Sequence, residues 1–368
     1  MIKISSLLVT CVALAWVSQE NTKHTLRKGS RYYLRDDWAF FLLVIVLSLF
    51  TGLRREYNDT WNYIDGFRKD GGLAAFFADP ENLNPFKNPL FYLYQSILKE
   101  ITSEAQWMIF LSSAFTQCCF MLFFKRYSKN FPFTVFLYFA LGTFNVSLGA
   151  LKQTMAMAIL TLGFPYLERQ KLGRFYLFVL IAMLVHTYAV SFAILPLFSG
   201  KPWRLFTFLF IGGVVFVLMN FRVVIEEFME QANALGKTLE SYEVFHDHTV
   251  NIFRVAVYMV TPFFSFCFAH WINHNSGRRD NILIHMSIIS MAFMLMGTQS
   301  GANMFARMAH YFEIGTLCCL PGMIEKPFEK YSARLIATFA IIGFLGFFLY
   351  AYRDFDVGYK TISLLGLF

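Results

Sequence analysis

The sequence predicts an all-α, polytopic transmembrane helical bundle. Hydrophobic residues make up 57% of the chain and charged residues 15%, and the mean hydropathy is +0.48. Apolar runs recur along the whole length, and a spanning helix needs roughly 20 such residues. We therefore expect one integral membrane domain over residues 1–368, with about ten to eleven spans. The apolar segments centre on residues 4–17, 38–53, 105–124, 131–150, 152–167, 175–198, 205–221, 252–273, 281–300, 303–321 and 333–351.

The first apolar segment has two interpretations. Residues 4–17 follow Lys3 and so resemble the apolar part of a signal peptide. Trp16 makes the stretch that follows a poor cleavage site, because cleavage requires small residues. We therefore expect a retained first helix.

The formal net charge is +8, which has two common explanations. A basic protein often binds an anionic partner such as nucleic acid. A polytopic membrane protein also gathers Lys and Arg in its short cytoplasmic loops. Because much of the Lys and Arg lies in such loops here, we expect no nucleic-acid partner.

The sequence shows no metal-ligand spacing, and we expect neither a metal nor another cofactor. His246 and His248 flank Asp247, but this stretch belongs to an acidic segment that reads as a solvated loop. The six cysteines lie in apolar runs without a CxxC pair, so we expect buried thiols and no disulfide framework. They are Cys11, Cys118, Cys119, Cys267, Cys318 and Cys319.

The basic loops predict the topology. The loop at 23–35 carries five Lys and Arg residues and should be cytoplasmic. Alternation of the spans then places residues 54–104 outside, 125–129 and 169–174 inside, and the acidic loop 222–250 outside. The two outer segments should carry substrate specificity, since loops commonly carry function.

Segment 175–198 breaks this alternation. The loop with Lys201 and Arg204 is basic, and so is the loop at 278–279. Both can be cytoplasmic only if 175–198 enters and leaves on the same side, as two short helices that meet near His186. The alternative is one full span with a weakly broken charge rule. We favour the re-entrant pair.

The expected topology brings several ionisable residues to one level at the outer face. Such groups are costly at membrane depth and indicate function by default, although some cations at helix ends only extend toward the interface. Asp59, Lys152 and Arg307 come from segments far apart in the chain. With Arg54 and Arg55, they form the candidate site.

These residues lie in a pattern that resembles a known family. Lys152 is followed by Gln153 and an Ala-rich run, His186 by Thr187, and Arg307 by a Tyr-Phe pair four residues on. In this order the blocks resemble the EpsG family of Wzy-type bacterial polysaccharide polymerases over roughly residues 35–350. The blocks are 51–63, 87–92, 151–158, 182–189 and 303–312.

The chain departs from the family pattern at several positions. Lys152 stands where the family usually has Arg, and Val185 where it usually has Phe. Asp59 is kept with different neighbours. The sugars and the linkage therefore do not transfer from the resemblance.

The resemblance implies a GT-C-like polymerase architecture and a reaction. The enzyme would join oligosaccharide repeat units carried on undecaprenyl pyrophosphate into exopolysaccharide, capsule or O-antigen. It would act in membrane lipid at the outer face of the bacterial cytoplasmic (inner) membrane. A flippase and a chain-length regulator would be its partners.

The implied reaction suggests a role for each candidate residue. Departure of a lipid pyrophosphate calls for fixed cations, and the available set is Arg54, Arg55, Lys152 and Arg307. Arg307 and Lys152 are the first choices. An acceptor hydroxyl must lose a proton, for which His186 is the first candidate base and Asp59 the second. His310, three residues from Arg307 on one helix face, is expected to share the site.

Three other functions remain open from the sequence. An O-antigen-ligase-like transferase would move a finished chain, but such enzymes carry a larger late outer loop than 222–250. A transporter or flippase would often show inverted repeats, and none is visible. An O-acyltransferase would explain His186 but not the outer cations. Within 222–250, residues 223–235 suggest an amphipathic helix on the membrane surface, a possible lid over the lipid.

Overall fold

The computed structural model describes residues 1–27, 34–221, 250–299, 303–325 and 327–362, with isolated positions between 223 and 230. This part of the chain is almost wholly helical. Two short strands, β1 and β2, pair antiparallel. The helices are α1 Ile2–Arg27, α2 Trp38–Gly52, α3 Thr60–Lys69, α4 Gly72–Ala78, α5 Pro89–Ile101, α6 Ala105–Tyr127, α7 Phe131–Ala140, α8 Thr143–Gly149, α9 Leu151–Glu168, α10 Leu172–Val185, α11 Leu205–Met219, α12 Ile252–Cys267, α13 Ala269–Asn275, α14 Arg278–Met296, α15 Asn303–Glu325, α16 Lys330–Ala351 and α17 Phe355–Gly358. The strands are β1 Arg54–Glu56 and β2 Lys360–Thr361, and 3₁₀ helices cover Leu34–Asp36, Pro80–Leu83, Pro85–Lys87 and Thr187–Phe198.

Each of the eleven apolar segments forms a helix or a pair of helices. Within the described residues, α1, α6 and α16 are long and apolar enough to cross a membrane, and the count rises to five if each bent pair is one span. α9 and α15 are long enough but less apolar, and they carry polar residues of the candidate site. The count of ten to eleven spans stays a prediction.

Two of the apolar runs bend sharply. α7 and α8 meet at 58°, and α12 and α13 at 72°. Gly142 makes the first bend with a φ of +91°, a conformation that glycine adopts at little cost. The Phe139 and Phe144 rings stack across this bend with centroids 4.3 Å apart. The bend points α8 toward the candidate site.

Most of the predicted basic loops gather at one end of the bundle, here called the basic end. Lys125, at the end of α6, forms an ion pair of 3.1 Å with Asp37 at the start of α2. Asn130, before α7, donates a hydrogen bond of 2.9 Å to Glu325 at the end of α15. Asp37 also begins α2 by accepting a hydrogen bond from the Phe40 N–H.

Segment 175–198 folds back on itself. α10 ends at Val185, His186 is extended, and a 3₁₀ helix of 12 residues follows. The Phe175 and Phe192 rings lie 6.1 Å apart, which a continuous helix would not allow. The loop with Lys201 and Arg204 follows this 3₁₀ helix. Just beyond it, the Thr207 hydroxyl lies 3.1 Å from His285 near the start of α14, so the loop returns to the basic end. The break matches the two short helices expected near His186, and their re-entry into a bilayer stays a prediction.

The opposite end of the bundle is here called the cavity end. β1 follows α2 there and pairs with β2 from the C-terminal part of the chain. The amino group of Met1 forms an ion pair with Asp356 in α17. Phe50 and Tyr359 stack with ring centroids 4.6 Å apart. The starts of α1 and α3 and the ends of α2 and α16 therefore lie together.

Candidate active site

A cavity of about 590 Å³ opens at the cavity end. Residues from α3, α8, α9, α12 and α15 line it, together with the stretch around His186. Five of the residues expected at the site are among them: Asp59, Lys152, His186, Arg307 and His310. The polar lining residues are Asn58, Asp59, Tyr63, Asn88, Asn145, Lys152, Gln153, His186, Thr187, Tyr188, Arg254, Arg307 and His310.

Lys152 and Arg307 reach the cavity from two different helices. Lys152 lies in the first turn of α9, and its Nζ is 3.2 Å from the Tyr92 hydroxyl. Gln153, the next residue, donates a hydrogen bond of 2.7 Å to the Arg307 carbonyl. Arg307 is half-buried and interacts electrostatically with Tyr63. The two expected cations thus share one cavity, beside a helix N-terminus that itself favours anions.

Asp59 lies at the mouth of the cavity. It occupies the N-cap of α3 but makes no side-chain capping hydrogen bond, and it is exposed. Asn58 precedes it with a φ of +44°, which Asn tolerates better than most residues. Gly149 allows Asn58 to come close, since a Cβ there would lie 3.0 Å from the Asn58 amide nitrogen.

Arg54 and Arg55 lie outside the cavity, which corrects the expected grouping of four cations. Arg54 is fully buried and bonds the Thr51 carbonyl, Ser113 and Thr60. It thereby holds the start of α3, next to Asp59. Arg55 points away into a separate exposed groove. Adjacent residues of a strand face opposite sides, so the two cannot share one site.

His186 is held where α10 gives way to the 3₁₀ helix. Its Nδ1 lies 2.6 Å from the hydroxyl of Tyr311, a residue that is completely buried. The Thr187 N–H donates to the Asn88 side chain over 2.9 Å. Asn88 adopts a φ of +58° just before Pro89 starts α5. The stretch before α5 therefore contacts the residue after His186 and helps to fix the position of His186.

His310 lines the same cavity, as expected from its spacing to Arg307. It is 7% exposed, and its Nδ1 lies 2.8 Å from the carboxylate of Glu313, which is 1% exposed. The Tyr258 hydroxyl lies 3.2 Å from the same nitrogen. Neither Glu313 nor Tyr258 was predicted as a site residue from the sequence.

Arg254 is a third cation in the cavity lining, and sequence reasoning missed it. It lies in the first turn of α12 and is half-buried. A cation at the expected outer end of an apolar segment runs against the positive-inside bias. This departure from the positive-inside bias could have identified Arg254 from the sequence.

Tyr63, on the surface helix α3, completes the lining. Burial raises the pKa of Tyr63 to about 12, more than the charge of Arg307 lowers it. The hydroxyl therefore stays protonated at neutral pH and can donate a hydrogen bond. Phosphate and sugar oxygens are suitable acceptors.

Two expectations fall outside the described residues. The first concerns His246, Asp247 and His248. The second concerns the expected surface helix at 223–235, most of which is not described. Within the described residues, no group of three or more His, Cys, Asp or Glu side chains could hold a metal ion.

The fold and the cavity define a multi-pass helical membrane protein with a polar, cation-rich site at one end of its bundle. Three cations face one exposed carboxylate in the described lining, an arrangement suited to an anionic substrate. The model of the EpsG family matches residues 37–364. The chain belongs to this family, which comprises Wzy-type polysaccharide polymerases. Searches of curated proteins and of solved structures give no match.

Proposed function

We propose that the protein joins oligosaccharide repeat units carried on undecaprenyl pyrophosphate into a polysaccharide at the outer face of the bacterial cytoplasmic membrane. The observation that carries this proposal is the shared cavity of Lys152, Arg254 and Arg307. Family membership supports the polymerase class. The cavity supports an anionic leaving group.

The cations act on the charge that develops as the glycosidic phosphate bond breaks. The growing chain leaves its lipid pyrophosphate, whose oxygens gain negative charge in the transition state. Fixed cations in a site with little water stabilise that charge without reorganising, an effect worth about 10²–10³-fold per donor. Arg presents a planar fork to two phosphate oxygens, and Lys presents a point charge.

An apolar groove beside the cavity supports a lipid-linked substrate. The groove has a volume of about 410 Å³, and Leu90, Phe91 and Met155 help to line it. Lys152 marks the junction, since its Nζ lies 5.4 Å from the centre of the Phe91 ring. Val185, which also lines the groove, directly precedes His186 in the cavity. An amphiphile with its diphosphate at Lys152 and its polyprenyl chain in the groove would fit both.

The test is the surface polysaccharide of cells that lack the gene and are complemented with variants. Arg307→Gln and Lys152→Gln should leave single repeat units in place of long chains. Lys171→Gln, an exposed cation at the start of α10, is the matched control and should restore long chains.

The other candidate functions give different products in the same cells. Repeats trapped on the inner leaflet would indicate a flippase. Full-length chains still attached to the lipid would indicate a ligase. Full-length chains lacking only ester groups would indicate an acyltransferase. Each of these three results would overturn the polymerase function.

A further inference from the structure

Two histidines line the cavity, and their Nδ1 atoms have partners of opposite hydrogen-bonding character. His186 Nδ1 meets the Tyr311 hydroxyl at 2.6 Å, whereas His310 Nδ1 meets the Glu313 carboxylate at 2.8 Å. A neutral imidazole has one N–H and one nitrogen with a lone pair. The partner of Nδ1 therefore decides what Nε2 can do, and only an Nε2 with a lone pair can accept a proton.

Glu313 sets the tautomer of His310. A carboxylate only accepts hydrogen bonds, so the proton of the neutral imidazole lies on Nδ1 and the lone pair on Nε2. Tyr258 adds a second donor, since its hydroxyl also interacts with Glu313. Donors to a carboxylate favour its charged form. This carboxylate–histidine pair has the arrangement that orients a general base in other enzymes.

Tyr311 sets the opposite tautomer for His186. Tyr311 is completely buried, and within the described residues the only hydrogen bond of its hydroxyl is to His186. A buried hydroxyl proton needs an acceptor, and Nδ1 is the one it has. The proton of His186 then lies on Nε2. His186 is thus a hydrogen-bond donor and not a base.

We propose that His310 is the general base of the transfer reaction, that Glu313 positions it, and that His186 donates a hydrogen bond to the departing lipid diphosphate. This assignment rests on the glycosyl transfer proposed above. It replaces the sequence-based choice of His186 or Asp59 as the base.

The step balances in atoms and electrons. The acceptor hydroxyl gives its proton to Nε2 of His310, and its oxygen forms a bond to the anomeric carbon of the growing chain. The bond from that carbon to the lipid diphosphate breaks, and the diphosphate oxygen keeps the electron pair. Lys152, Arg254 and Arg307 stabilise the oxygen charge, and the imidazolium of His310 is stabilised by Glu313.

Several titratable or charged groups face this pair and contribute to its pH dependence. They come from five parts of the fold besides the stretch around His186: Asp59 and Tyr63 at α3, Lys152 on α9, Arg254 and Tyr258 on α12, Arg307 and Glu313 on α15, and Tyr352 just after α16.

Replacing each histidine by Gln separates the two roles. A Gln amide can donate a hydrogen bond, but it cannot take up a proton. With the full-length protein in lipid nanodiscs and a lipid-linked repeat unit as substrate, we expect His310→Gln to lower kcat by about 10²–10⁴-fold. His186→Gln should keep kcat within about tenfold of wild type. His186→Ala, which lacks the donor, should be slower than His186→Gln.

The role of Glu313 is tested through the pH dependence of the reaction rate, because a purely structural role would not shift that dependence. The base must be deprotonated to accept the proton, so the rate rises with pH before it levels off. Glu313→Gln removes the charge that stabilises the imidazolium, so the rising limb should move to lower pH while kcat falls and KM stays unchanged. Tyr258→Phe, which keeps the carboxylate, should shift the limb less. Monodisperse elution and a cooperative melt establish that each variant is folded.

The outcomes separate this assignment from the proposed function. A wild-type rate and pH profile for His310→Gln would overturn it, and so would a loss confined to His186→Gln. If the rising limb of the pH–rate profile lies at the same pH in folded Glu313→Gln as in wild type, the proposed role of Glu313 is wrong. If the wild-type protein extends no chains from the lipid-linked repeat, the polymerase function itself fails and the assignment fails with it.

Discussion

The Gln153 side-chain amide donates a hydrogen bond of 2.7 Å to the main-chain carbonyl of Arg307, which lies 154 residues further along the chain. This contact joins α9 to α15 at the level of the cavity. Gln153 is 3% exposed, so little water competes for the bond. Because Lys152 precedes Gln153, the bond also fixes the position of one cation relative to the other.

Removal of this bond should affect catalysis more than stability. Gln153→Leu keeps the volume and loses about 1 kcal/mol of folding free energy. A small displacement of Lys152 from Arg307 should lower the rate of chain extension by roughly ten- to a hundredfold. Gln106→Leu is the matched control, because Gln106 also bridges segments, to the carbonyls of Gly52 and Arg54, but outside the cavity. Equal rate losses in both variants would contradict a special role for Gln153.

The same substitution should slow chain extension at Arg254 but not at Arg55. Arg254→Gln removes a cation from the cavity and should slow chain extension by about 10²–10³-fold. Arg55→Gln should extend chains at the wild-type rate, because Arg55 lines a separate exposed groove. The measurement is the chain-length distribution formed from lipid-linked repeats. Shorter products from Arg55→Gln than from Arg254→Gln would contradict the site geometry.

The sequence predicted the features that local information controls. The fold-back at His186 followed from loop charges, which are read directly from the chain. The positions of most long helices followed from the apolar runs, although their ends did not: α1 continues to Arg27, well beyond the run at 4–17. The 58° bend at Gly142 did not follow, because the run that contains it is apolar enough to read as one span and a glycine is compatible with a straight helix.

The grouping of site residues depended on contacts that the sequence does not display. Arg54 and Arg55 are close to Asp59 in the chain, but β1 pairs with β2 from the C-terminal part of the sequence, and both arginines lie outside the cavity. Arg254 follows the acidic stretch 222–250 in the sequence and was missed. The pairing of His310 with Glu313 at i and i+3 was accessible from helix spacing alone.

Gly142 should be sensitive to the smallest substitution. Its φ is +91°, so Gly142→Ala should lower the free energy of unfolding by roughly 1–2 kcal/mol. An added Cβ would meet Arg254 Nη2 only at 3.8 Å, an ordinary contact, so the backbone conformation causes the loss. Gly213→Ala in α11 has open space and should be neutral or stabilising. Thermal unfolding in detergent compares the two, and equal melting temperatures would contradict the backbone argument.

Tyr63 should titrate later than an ordinary tyrosine. Burial raises its pKa to about 12, so the folded protein holds the phenol proton more tightly than the unfolded chain does. The stability from this group is complete below the ordinary pKa near 10 and is lost as pH rises through about 12. The wild-type minus Tyr63→Phe difference in tyrosinate absorbance should therefore appear late in an alkaline titration. A difference centred near the ordinary value would show that water reaches Tyr63.

Lys125 and Asp37, the ion pair at the basic end, should each depend on the other for their contribution to the unfolding free energy. Lys125 and Asp37 lie 3.1 Å apart with side chains 11% and 0% exposed, and the Ser18 hydroxyl donates to the same carboxylate. Lys125→Met removes a cation from beside that buried carboxylate and should cost about 3–5 kcal/mol of unfolding free energy. Asp37→Asn keeps the cap of α2, because Asn is a good N-cap residue.

A double-mutant cycle isolates the pair. Asp37→Asn combined with Lys125→Met should be destabilised by less than the two single changes together, since the double variant lacks both charges of the pair. Lys69→Met breaks an exposed pair with Asp65, whose side chains are 75% and 40% exposed, and should cost less than about 1 kcal/mol. Thermal unfolding in detergent measures all four variants. Simple additivity in the cycle would mean that Lys125 and Asp37 are each solvated independently, and α1 would then be held to α2 and α6 by apolar packing instead.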